Sequence, residues 1–336
     1  MTDQNPVIET ANTDGLTVVV SDPHLPSFRE RFEAALPAAT TVRWPAAGDR
    51  DTLLAALGDA DVLVSGACPA EVAAAGKNLR LVHAAGAGID GIDVAALPPG
   101  TLVANTFHHE DAIAEYIVAS AVLLRRGLLR QDTALRKGTW EPPAYPGLLG
   151  EAVVGFVGFG HIGSRAWQRL RAFGARGVAV TRRGSVDAVA ERLVWAGSLD
   201  DLDALLEIAD VVVVSVPLTE QTTGLIDAKG LASMGESSVL INVGRGPVVD
   251  EDALYAALHD GVIGGAALDV WYDYPSDGRT GKPSRHPFHS LPNVLMTPHS
   301  SGLSRHTFAR RADDITTNIR RLAAGQGLDN IVAVAR

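Results

Sequence analysis

The sequence has little cysteine and no long apolar run. Among its 336 residues there is one cysteine, Cys68, which excludes an intramolecular disulfide and any zinc or iron–sulfur site built from cysteines. We expect Cys68 to be a small buried residue, and we expect no metal. No apolar stretch approaches the roughly 18 residues of a membrane span, and residues 1–13 are polar and acidic. These absences predict a soluble, cytoplasmic protein.

Positive charge is also scarce. Lys and Arg number 29 against 39 Asp and Glu, a net charge of -10, and a field of this sign repels the phosphates of nucleic acids. The remaining composition, 46% hydrophobic and 20% charged, is that of a globular protein. Because a single core has usually stopped growing at this length, the sequence predicts two domains. The net negative charge predicts no nucleic-acid partner.

Short β-branched runs alternate with amphipathic helical stretches from Leu16 onward. Strands separated by helices of about ten residues cannot form hairpins, so we expect parallel strands with right-handed crossovers. The first hundred residues therefore predict an open α/β unit of the Rossmann or flavodoxin type. Its strand-like runs are Thr17–Ser21, Thr41–Trp44, Asp61–Ser65 and Arg80–Ala84.

A second α/β unit follows a predicted helix, Asp111–Arg126, and a Pro/Gly-rich connection, Gly138–Gly150. Its strands are almost continuously apolar, as strands covered on both faces must be. They are Ala152–Val157, Gly177–Thr181, Asp210–Val216, Ser238–Val243 and Gly264–Val270. The last predicted helix has an apolar face that needs a partner, and we expect it to return to the first domain. That face consists of Phe308, Ala312, Ile315, Ile319 and Leu322.

A glycine-rich turn connects a strand to a helix at the start of the second unit. It comprises Gly158, Phe159, Gly160, His161, Ile162 and Gly163. The first glycine permits the tight turn, the second lets a pyrophosphate approach the backbone, and the third allows helix and strand to pack closely. Free N–H groups at the helix start attract the anion. Although such a turn can be merely structural, its strand–turn–helix context predicts dinucleotide binding by these residues.

The end of the next strand bears on which cofactor is bound. In NAD sites an acid about twenty residues past the glycine turn binds the ribose 2'-hydroxyl, whereas here Thr181 is followed by Arg182, Arg183, Gly184 and Ser185. Two guanidinium groups and a hydroxyl suit a 2'-phosphate, which an aspartate would repel. We therefore expect NADP to be preferred and NAD to be possible; the alternative is a solvated basic turn.

Three further segments end strands of the second unit, at the edge where open α/β sheets bind ligands. They contain Arg245, Asp269 and His299. An arginine clamps a carboxylate through two charge-assisted hydrogen bonds, and a histidine exchanges protons near neutral pH. Singly, each has another explanation: a surface ion pair, a strand-end cap or a loop histidine. Together, downstream of a dinucleotide turn, they predict a catalytic site.

With these residues in place, the sequence resembles the D-isomer-specific 2-hydroxyacid dehydrogenases over nearly its whole length. The motifs that carry the resemblance occur in the family's order along the chain. They are Ala85-Gly86-Ala87-Gly88-Ile89-Asp90-Gly91-Ile92-Asp93, Ala114-Glu115, Gly158 to Gly163, Pro217-Leu218-Thr219 with Thr222, the Arg245 segment, Asp269 and His299.

The resemblance implies a substrate-binding domain made of residues 1–106 and 300–336, a dinucleotide-binding domain at 107–299, and an active site in the cleft between them. It implies that Arg245 binds and polarises a 2-oxo acid while His299 exchanges the proton as hydride moves between nicotinamide C4 and substrate C2. Backbone N–H groups around Ala87 and Gly88 would hold the carboxylate, and Asp269 would orient the nicotinamide amide. The remaining cofactor contacts would come from Val216, Pro217, Thr222 and Val243, with Arg245 and His299. A homodimer built through the cofactor domain is also implied.

Two positions depart from the family pattern. The family usually has a glutamate five residues after the aspartate, where its charge raises the pKa of the histidine; this sequence has Tyr274 there, before Pro275. Asp273 is adjacent and could take that role if the loop shifts. Formate dehydrogenases of the family also lack the glutamate, but they usually carry an asparagine at the place of His109.

Three features leave alternatives open. His108 and His109 could face the cleft or be solvated at the start of a helix. No Lys or Arg occurs between Arg50 and Lys77, where a phosphorylated substrate would want a cation, so phosphoglycerate is disfavoured. The long segment 276–288 could contact substrate or form a mobile surface loop. Its basic residues are Arg279, Lys282, Arg285 and His286.

The sequence therefore predicts an NADP-preferring reductase of a small 2-oxo acid, of the glyoxylate or hydroxypyruvate kind. Its substrate would be bound by Ala87, Gly88, Arg245, Tyr274 and His109. One alternative is hydride abstraction of the kind catalysed by formate dehydrogenases. Another is a nucleotide-sensing, corepressor-like binding protein, because a fold does not fix a function.

Overall fold

The computed structural model describes residues 15–46, 48–142, 144–275 and 280–336. The predictions for residues 1–13 and for Arg279 lie outside these ranges. The chain divides into two compact units, one formed by residues up to His108 together with Ser304–Arg336, the other by His109–Leu303. The joints predicted after residues 106 and 299 lie two and four residues before these boundaries.

The first part of unit 1 contains the four strands predicted from its β-branched runs. Their side chains are largely buried, and Cys68 is fully buried, as expected. The strands are β1 (Thr17–Val20), β2 (Thr41–Arg43), β3 (Val62–Val64), β4 (Ala67–Cys68), β5 (Leu81–His83), β6 (Gly91–Ile92) and β7 (Leu102–Ala104). The helices are α1 (Arg29–Ala34), α2 (Arg50–Ala56) and α3 (Ala70–Ala75).

Unit 2 alternates strands and helices. Its strands are β8 (Val153–Val157), β9 (Arg176–Thr181), β10 (Trp195–Ser198), β11 (Val211–Val214), β12 (Val239–Asn242), β13 (Gly265–Leu268) and β14 (Val294–Met296). Its helices are α4 (Glu110–Arg125), α5 (Leu128–Arg136), α6 (His161–Leu170), α7 (Ala188–Glu191), α8 (Leu202–Ile208), α9 (Ala228–Ser233) and α10 (Glu251–His259).

The strands of unit 2 form one parallel sheet in the order β10-β9-β8-β11-β12-β13-β14. Apolar clusters cover both of its faces, which explains the nearly continuous apolar character of these strands. The direction of winding reverses between β8 and β11, and ligands of open α/β sheets bind at the carboxyl ends of the strands beside such a reversal.

The end of the chain completes unit 1. Helix α11 (Arg305–Ala323) begins at Ser304, whose hydroxyl accepts from Thr307 N at 3.0 Å. Its predicted apolar face is buried in the core of unit 1, so the predicted return of the last helix is confirmed. The final strand β15 (Ile331–Val334) pairs antiparallel with β7 in a sheet ordered β15-β7-β5-β3-β1-β2. Within the described ranges, no helix is long and apolar enough to span a membrane.

Candidate functional site

The glycine turn of unit 2 has the geometry that a dinucleotide requires. Gly158 has φ +94°, and a Cβ there would lie 2.8 Å from Val216 Cγ1, so only glycine fits this turn. A Cβ at Gly163 would lie 2.6 Å from the Gly158 carbonyl oxygen, which shows how closely α6 packs on the turn. A Cβ at Gly160 would meet nothing within 4 Å. The second glycine thus faces open space, where a pyrophosphate could approach the start of α6.

The loop after β11 lies against this turn. The Ser215 hydroxyl donates to the Gly158 carbonyl oxygen at 3.0 Å. Thr222 is buried, and its hydroxyl donates to the Pro217 carbonyl at 2.7 Å and accepts from Thr219 N at 2.8 Å. Thr222 therefore shapes the loop that presents Val216 and Pro217, and its side chain is occupied inside that loop.

Loops after three adjacent strands meet at this edge of the sheet. A Cβ at Gly244, after β12, would lie 2.7 Å from the Val216 carbonyl oxygen. Val243 is nearly buried and anchors the segment that leads to Arg245. The predicted contacts Val216, Val243 and Arg245 are thus brought to one place within unit 2.

The segment after β9 carries the predicted selector of the cofactor. Arg182, Arg183 and Ser185 are exposed. A cavity of about 420 Å³ is lined by Gly160, His161, Ser185 and Asp187, among others. Asp187 Oδ1 accepts from Val189 N and Ala190 N at the start of α7, at 3.0 and 3.1 Å, so this acid acts as a helix cap.

Asp269, at the end of β13, binds the loop that carries His299. Its Oδ1 accepts from the Thr297 hydroxyl at 2.6 Å and from Ser300 N at 2.8 Å. Its Oδ2 accepts from Ser301 N at 3.0 Å and from the Ser301 hydroxyl. A carboxylate offers about four acceptor positions, so the loop uses the capacity of this buried group. The expected contact of Asp269 with the nicotinamide amide stays a prediction.

His299 is held in an unusual backbone conformation. Its φ is +56°, in the left-handed region that non-glycine residues seldom adopt and that recurs at functional sites. Asp269 accepts hydrogen bonds from the backbone N–H groups of the next two residues, Ser300 and Ser301, and these bonds hold His299 in this conformation. The Trp271 indole N–H, which donates to the Thr297 carbonyl at 2.8 Å, fixes the loop from the other side.

Tyr274 contacts the catalytic candidate directly. Its hydroxyl lies 3.0 Å from His299 Nδ1 and accepts from Trp271 N at 3.2 Å. Because Trp271 N can only donate, the hydroxyl proton of Tyr274 is available to Nδ1, which leaves Nε2 as the nitrogen with the exchangeable proton. Asp273, considered from the sequence as a substitute partner, does not contact His299; the neighbouring phenol occupies that position.

The charges around His299 act in opposite directions. Burial lowers the pKa of His299, the Asp269 carboxylate raises it, and the Arg245 guanidinium lowers it. The net effect is a pKa below the usual value for histidine. Arg245 also lowers, and burial raises more strongly, the pKa of Tyr274, so the phenol stays neutral at physiological pH. Arg245 Nη1 donates to the Gly244 carbonyl at 2.8 Å, which fixes the side chain at the end of β12.

The two histidines at 108 and 109 have different surroundings. His108 belongs to unit 1, and its Nε2 lies 2.8 Å from Asp314 Oδ2. His109 is the N-cap residue of α4 in unit 2, and a Cβ built on Gly302 would lie 3.2 Å from the Cβ of His109. His109 is therefore beside the loop that carries His299, whereas the His108 ring is engaged by Asp314.

The described part of segment 276–288 is bound to α10. The Ser284 hydroxyl donates to Glu251 at 2.6 Å, and His286 Nε2 lies 2.5 Å from Asp252. Arg285 Nη2 donates to Asp252 at 2.6 Å. These contacts engage Arg285 and His286 with α10 and favour a structural role for them over a substrate contact.

In unit 1, the motif loop at 85–88 presents two backbone donors. The Gly86 carbonyl accepts from Thr106 N at 3.2 Å, and the Ala87 carbonyl accepts from Asn105 Nδ2 at 2.8 Å. In a trans peptide the N–H points opposite to the carbonyl. The N–H groups of Ala87 and Gly88 therefore point away from residues 105 and 106. The sequence analysis missed Asn105, because its role depends on a contact with a loop 18 residues away.

Comparison with known proteins agrees with the motifs. A profile of the D-isomer specific 2-hydroxyacid dehydrogenase NAD binding domain matches residues 118–301. D-3-phosphoglycerate dehydrogenase of Mycobacterium bovis is 35% identical over 324 residues, covering 94% of this chain and 58% of that protein. Glyoxylate reductase of Thermofilum pendens is 34% identical over 259 residues, 74% of this chain and 73% of that protein.

A solved structure extends the likeness to both units. The NADPH-dependent glyoxylate/hydroxypyruvate reductase of Sinorhizobium meliloti, in complex with NADP and malonate, aligns with a TM-score of 0.78 and 29% identity. The alignment covers 96% of this chain and 98% of that one. The predicted class of α/β fold is thereby confirmed.

The chain belongs to the D-isomer specific 2-hydroxyacid dehydrogenase family. Its residues 118–301 are the family's NAD-binding domain. The chain spans 58% of the length of the mycobacterial relative that it matches.

Proposed function

We propose that the chain is an oxidoreductase that reduces small 2-oxo acids to D-2-hydroxy acids with a nicotinamide cofactor, preferably NADPH. One observation carries the proposal: Arg245, Asp269 and His299 follow three adjacent strands of unit 2, and the contacts of His299 leave its Nε2 for proton exchange.

The residues of unit 2 fit a dinucleotide. Gly160 leaves open space at the start of α6, and the cavity of about 420 Å³ beside it is large enough for part of a nucleotide. We propose that Gly158, Gly160, His161, Ile162 and Gly163 hold the pyrophosphate. A nicotinamide cofactor, when bound, supplies the hydride for the reduction of a carbonyl carbon.

Arg245 and His299 act on the carbonyl group of the substrate. The Arg245 guanidinium binds the 2-oxo acid and polarises its carbonyl through charge-assisted hydrogen bonds. Protonated His299 gives its Nε2 proton to the carbonyl oxygen and becomes a neutral imidazole, while its Nδ1–H donates to the Tyr274 hydroxyl, which fixes the ring. In unit 1, the N–H groups of Ala87 and Gly88 donate hydrogen bonds to the carboxylate. His109 contributes to the substrate pocket from beside the His299 loop.

Small, unphosphorylated acids are the proposed substrates. A phosphate group needs a cation, and residues 51–76 contain no Lys or Arg. Arg50, just before them, donates to Glu71 at the surface. This argues against phosphoglycerate, the substrate named in the mycobacterial relative, and in favour of the glyoxylate and hydroxypyruvate named in the other two.

The NADPH preference is supported by the end of β9. Arg182, Arg183 and Ser185 offer two cations and a hydroxyl within five residues of Thr181. The nearest acid, Asp187, binds the backbone of α7. The exposed guanidinium groups of Arg182 and Arg183 would therefore bind a 2'-phosphate from the surface.

A homodimer is proposed through unit 2. Large apolar side chains are exposed around the end of α5 and the segment after it: Leu135 (58%), Trp140 (86%), Tyr145 (94%) and Leu148 (56%). A cluster of exposed aromatic and aliphatic residues marks an interface more often than solvated surface. Sedimentation equilibrium of the protein should give twice the chain mass; a monomer at micromolar concentration would remove this part of the proposal.

Formate oxidation is the second candidate, and one observation favours it. The partner of His299 is a neutral phenol, and a hydride donor such as formate needs no general base. The asparagine usual in formate dehydrogenases is replaced by His109 beside the same loop, which weighs against it.

A turnover panel tests these possibilities together. The protein is assayed with glyoxylate, hydroxypyruvate and pyruvate using NADPH and NADH, and with formate using NADP and NAD. The proposal predicts reduction of at least one 2-oxo acid, faster with NADPH. Formate oxidation alone would favour the second candidate, and nucleotide binding without any turnover would favour a corepressor-like protein.

A further inference from the structure

Unit 1 contains a buried arginine beside the loop that is expected to bind a carboxylate. Arg311, on α11, is only 8% exposed. A Cβ built on Gly86 would lie 3.8 Å from Arg311 Nη1, 3.9 Å from Nη2 and 4.0 Å from Cζ. The guanidinium therefore lies just beyond the Cα of Gly86, at the distance where a side chain on this residue would touch it. Buried arginines are uncommon, because removing the charge from water is costly.

Neighbouring residues hold this guanidinium in one orientation. Arg311 Nε donates to the Phe107 carbonyl at 2.8 Å. Its Cζ lies 5.0 Å from the centroid of the Phe308 ring, a cation–π contact on the same helix. A Cβ built on Gly86 would be nearly equidistant from Nη1, Nη2 and Cζ, so Gly86 lies over one face of the guanidinium. The charge is thus placed by three independent contacts.

The same loop has its carbonyls turned to the segment at 105–106, so the N–H groups of Ala87 and Gly88 point the other way. Backbone N–H groups attract an anion weakly by themselves, and a nearby cation in a partly desolvated place strengthens that attraction considerably. We propose that Arg311 is a specificity-determining residue for the carboxylate of the substrate, and this proposal rests on the proposed function. It makes unit 1 select for charged 2-oxo acids over their uncharged analogues.

Substitution at two neighbouring positions of α11 separates charge from packing. Arg311→Met keeps an unbranched apolar stem and removes the charge, whereas Arg311→Lys keeps the charge and loses the planar group. Arg310 is exposed on the same helix, and Arg310→Met removes the same charge from the chain at a different place. The three variants and wild type are compared with NADPH present.

Two probes report on the carboxylate. Oxamate carries one carboxylate, and oxamide, of similar size, carries none. Calorimetry should give Arg311→Met a dissociation constant for oxamate about 10-fold above wild type, equivalent to about 1.4 kcal/mol. Arg311→Lys should lie within about 3-fold of wild type, Arg310→Met should match it, and no variant should alter oxamide binding. The KM for the best 2-oxo acid should follow oxamate, with kcat little changed.

Equal losses for Arg311→Lys and Arg311→Met, or equal losses for oxamate and oxamide, would assign Arg311 a structural role and overturn the proposal. Unchanged oxamate binding in Arg311→Met would also overturn it. If Arg311→Met does not fold, Arg311→Gln replaces it as the variant without the charge. A dissociation constant for oxamate equal to that of wild type, or an equal loss for oxamide, would then contradict the proposal. Absence of 2-oxo acid turnover in wild type would refute the proposed function separately, because oxamate binding does not require turnover.

Discussion

At the scale of single residues, the site depends on how Asp269 and His299 are held. Asp269 uses its acceptor positions on the 297–301 loop and so places His299 in a left-handed conformation. Such conformations cost about 1–3 kcal/mol and persist where surrounding contacts enforce them. The sequence indicated Asp269 and His299 as strand-end residues. It could not show that one holds the other, since that requires the register of Thr297 and Ser301 around the carboxylate.

Arg245→Lys should lose about 100-fold in kcat/KM, roughly 3 kcal/mol. An ammonium group cannot make the two parallel hydrogen bonds that a guanidinium makes to a carboxylate or its adjacent carbonyl. Steady-state kinetics with the best 2-oxo acid check this. Lys229→Met, a surface change, is the control and should be neutral; near-normal kinetics in Arg245→Lys would remove this residue from the site.

Tyr274→Glu should move the pH dependence of reduction. His299 has a lowered pKa, so if its protonated form is the acid, kcat/KM for the 2-oxo acid falls as pH rises through a value below the usual 6.5. A carboxylate beside Nδ1 stabilises the imidazolium, and the falling limb should move up by about one unit. Oxidation should show the opposite limb.

The control for this change is Tyr274→Phe, which keeps the ring and removes the hydroxyl. Without a new charge its limb should stay close to that of wild type, and Trp271 N loses an acceptor. Superimposable profiles for wild type and Tyr274→Glu would show that another group sets the affinity of the proton.

At the scale of helices and strands, the sequence predicted the elements with long periodic patterns. The nine strands expected from β-branched or apolar runs all occur, with ends shifted by one or two residues. Strands β4, β6, β7, β10 and β14 were missed because runs of two to four residues show no period. Strand β15 was missed because its antiparallel pairing with β7 joins residues more than 200 positions apart.

The end of β9 carries the cofactor prediction. Arg182→Ala should raise the KM for NADPH about 10-fold and change that for NADH by less than about 2-fold, since only NADPH carries the 2'-phosphate. Arg171→Ala, another exposed arginine of unit 2, is the matched control. Equal effects on both cofactors, or none on either, would mean that Arg182 does not contact the ribose.

A buried histidine joins β5 to α11 and predicts acid lability of unit 1. His83 Nδ1 donates to the Ala84 carbonyl at 2.9 Å, and Nε2 accepts from Asn318 Nδ2 at 3.0 Å. Contacts of the Asn318 amide with Asp329 N and O fix its orientation. Burial lowers the pKa of His83 to about 4. A proton on Nε2 would also face the N–H₂ group of Asn318.

The folded-state pKa of His83 lies below the unfolded value of about 6.5, so the unfolded state takes up the proton first as pH falls. Stability contributed by neutral His83 is complete above pH 6.5 and is lost between about pH 6.5 and 4, about 3 kcal/mol in all. In urea unfolding followed at several pH values, His83→Gln should lack this part of the pH dependence. His306→Gln, at an exposed position of α11, should keep it; a variant as acid-labile as wild type would contradict the assignment.

At the scale of the whole molecule, the two-unit division and the return of α11 followed from patterns in the sequence. The roles of Asn105 and Arg311 did not, because each acts through contacts made only after folding; Arg311 and Phe107 are 204 positions apart. Family membership is shown by the comparisons. The Tyr274 phenol lies next to His299 Nδ1, and the pH profiles proposed above test what it does to the proposed proton transfer.

Transfer of label from NADPH that carries two deuterium atoms at nicotinamide C4 tests the proposed reaction most directly. Wild type is incubated with hydroxypyruvate or pyruvate, and the product is analysed by chiral chromatography and mass spectrometry. We expect the D-2-hydroxy acid with one deuterium at C2, and a large loss of this product in His299→Gln and Arg245→Lys. An L-configured product, product without deuterium, or no reduction of any small 2-oxo acid would contradict the proposed function.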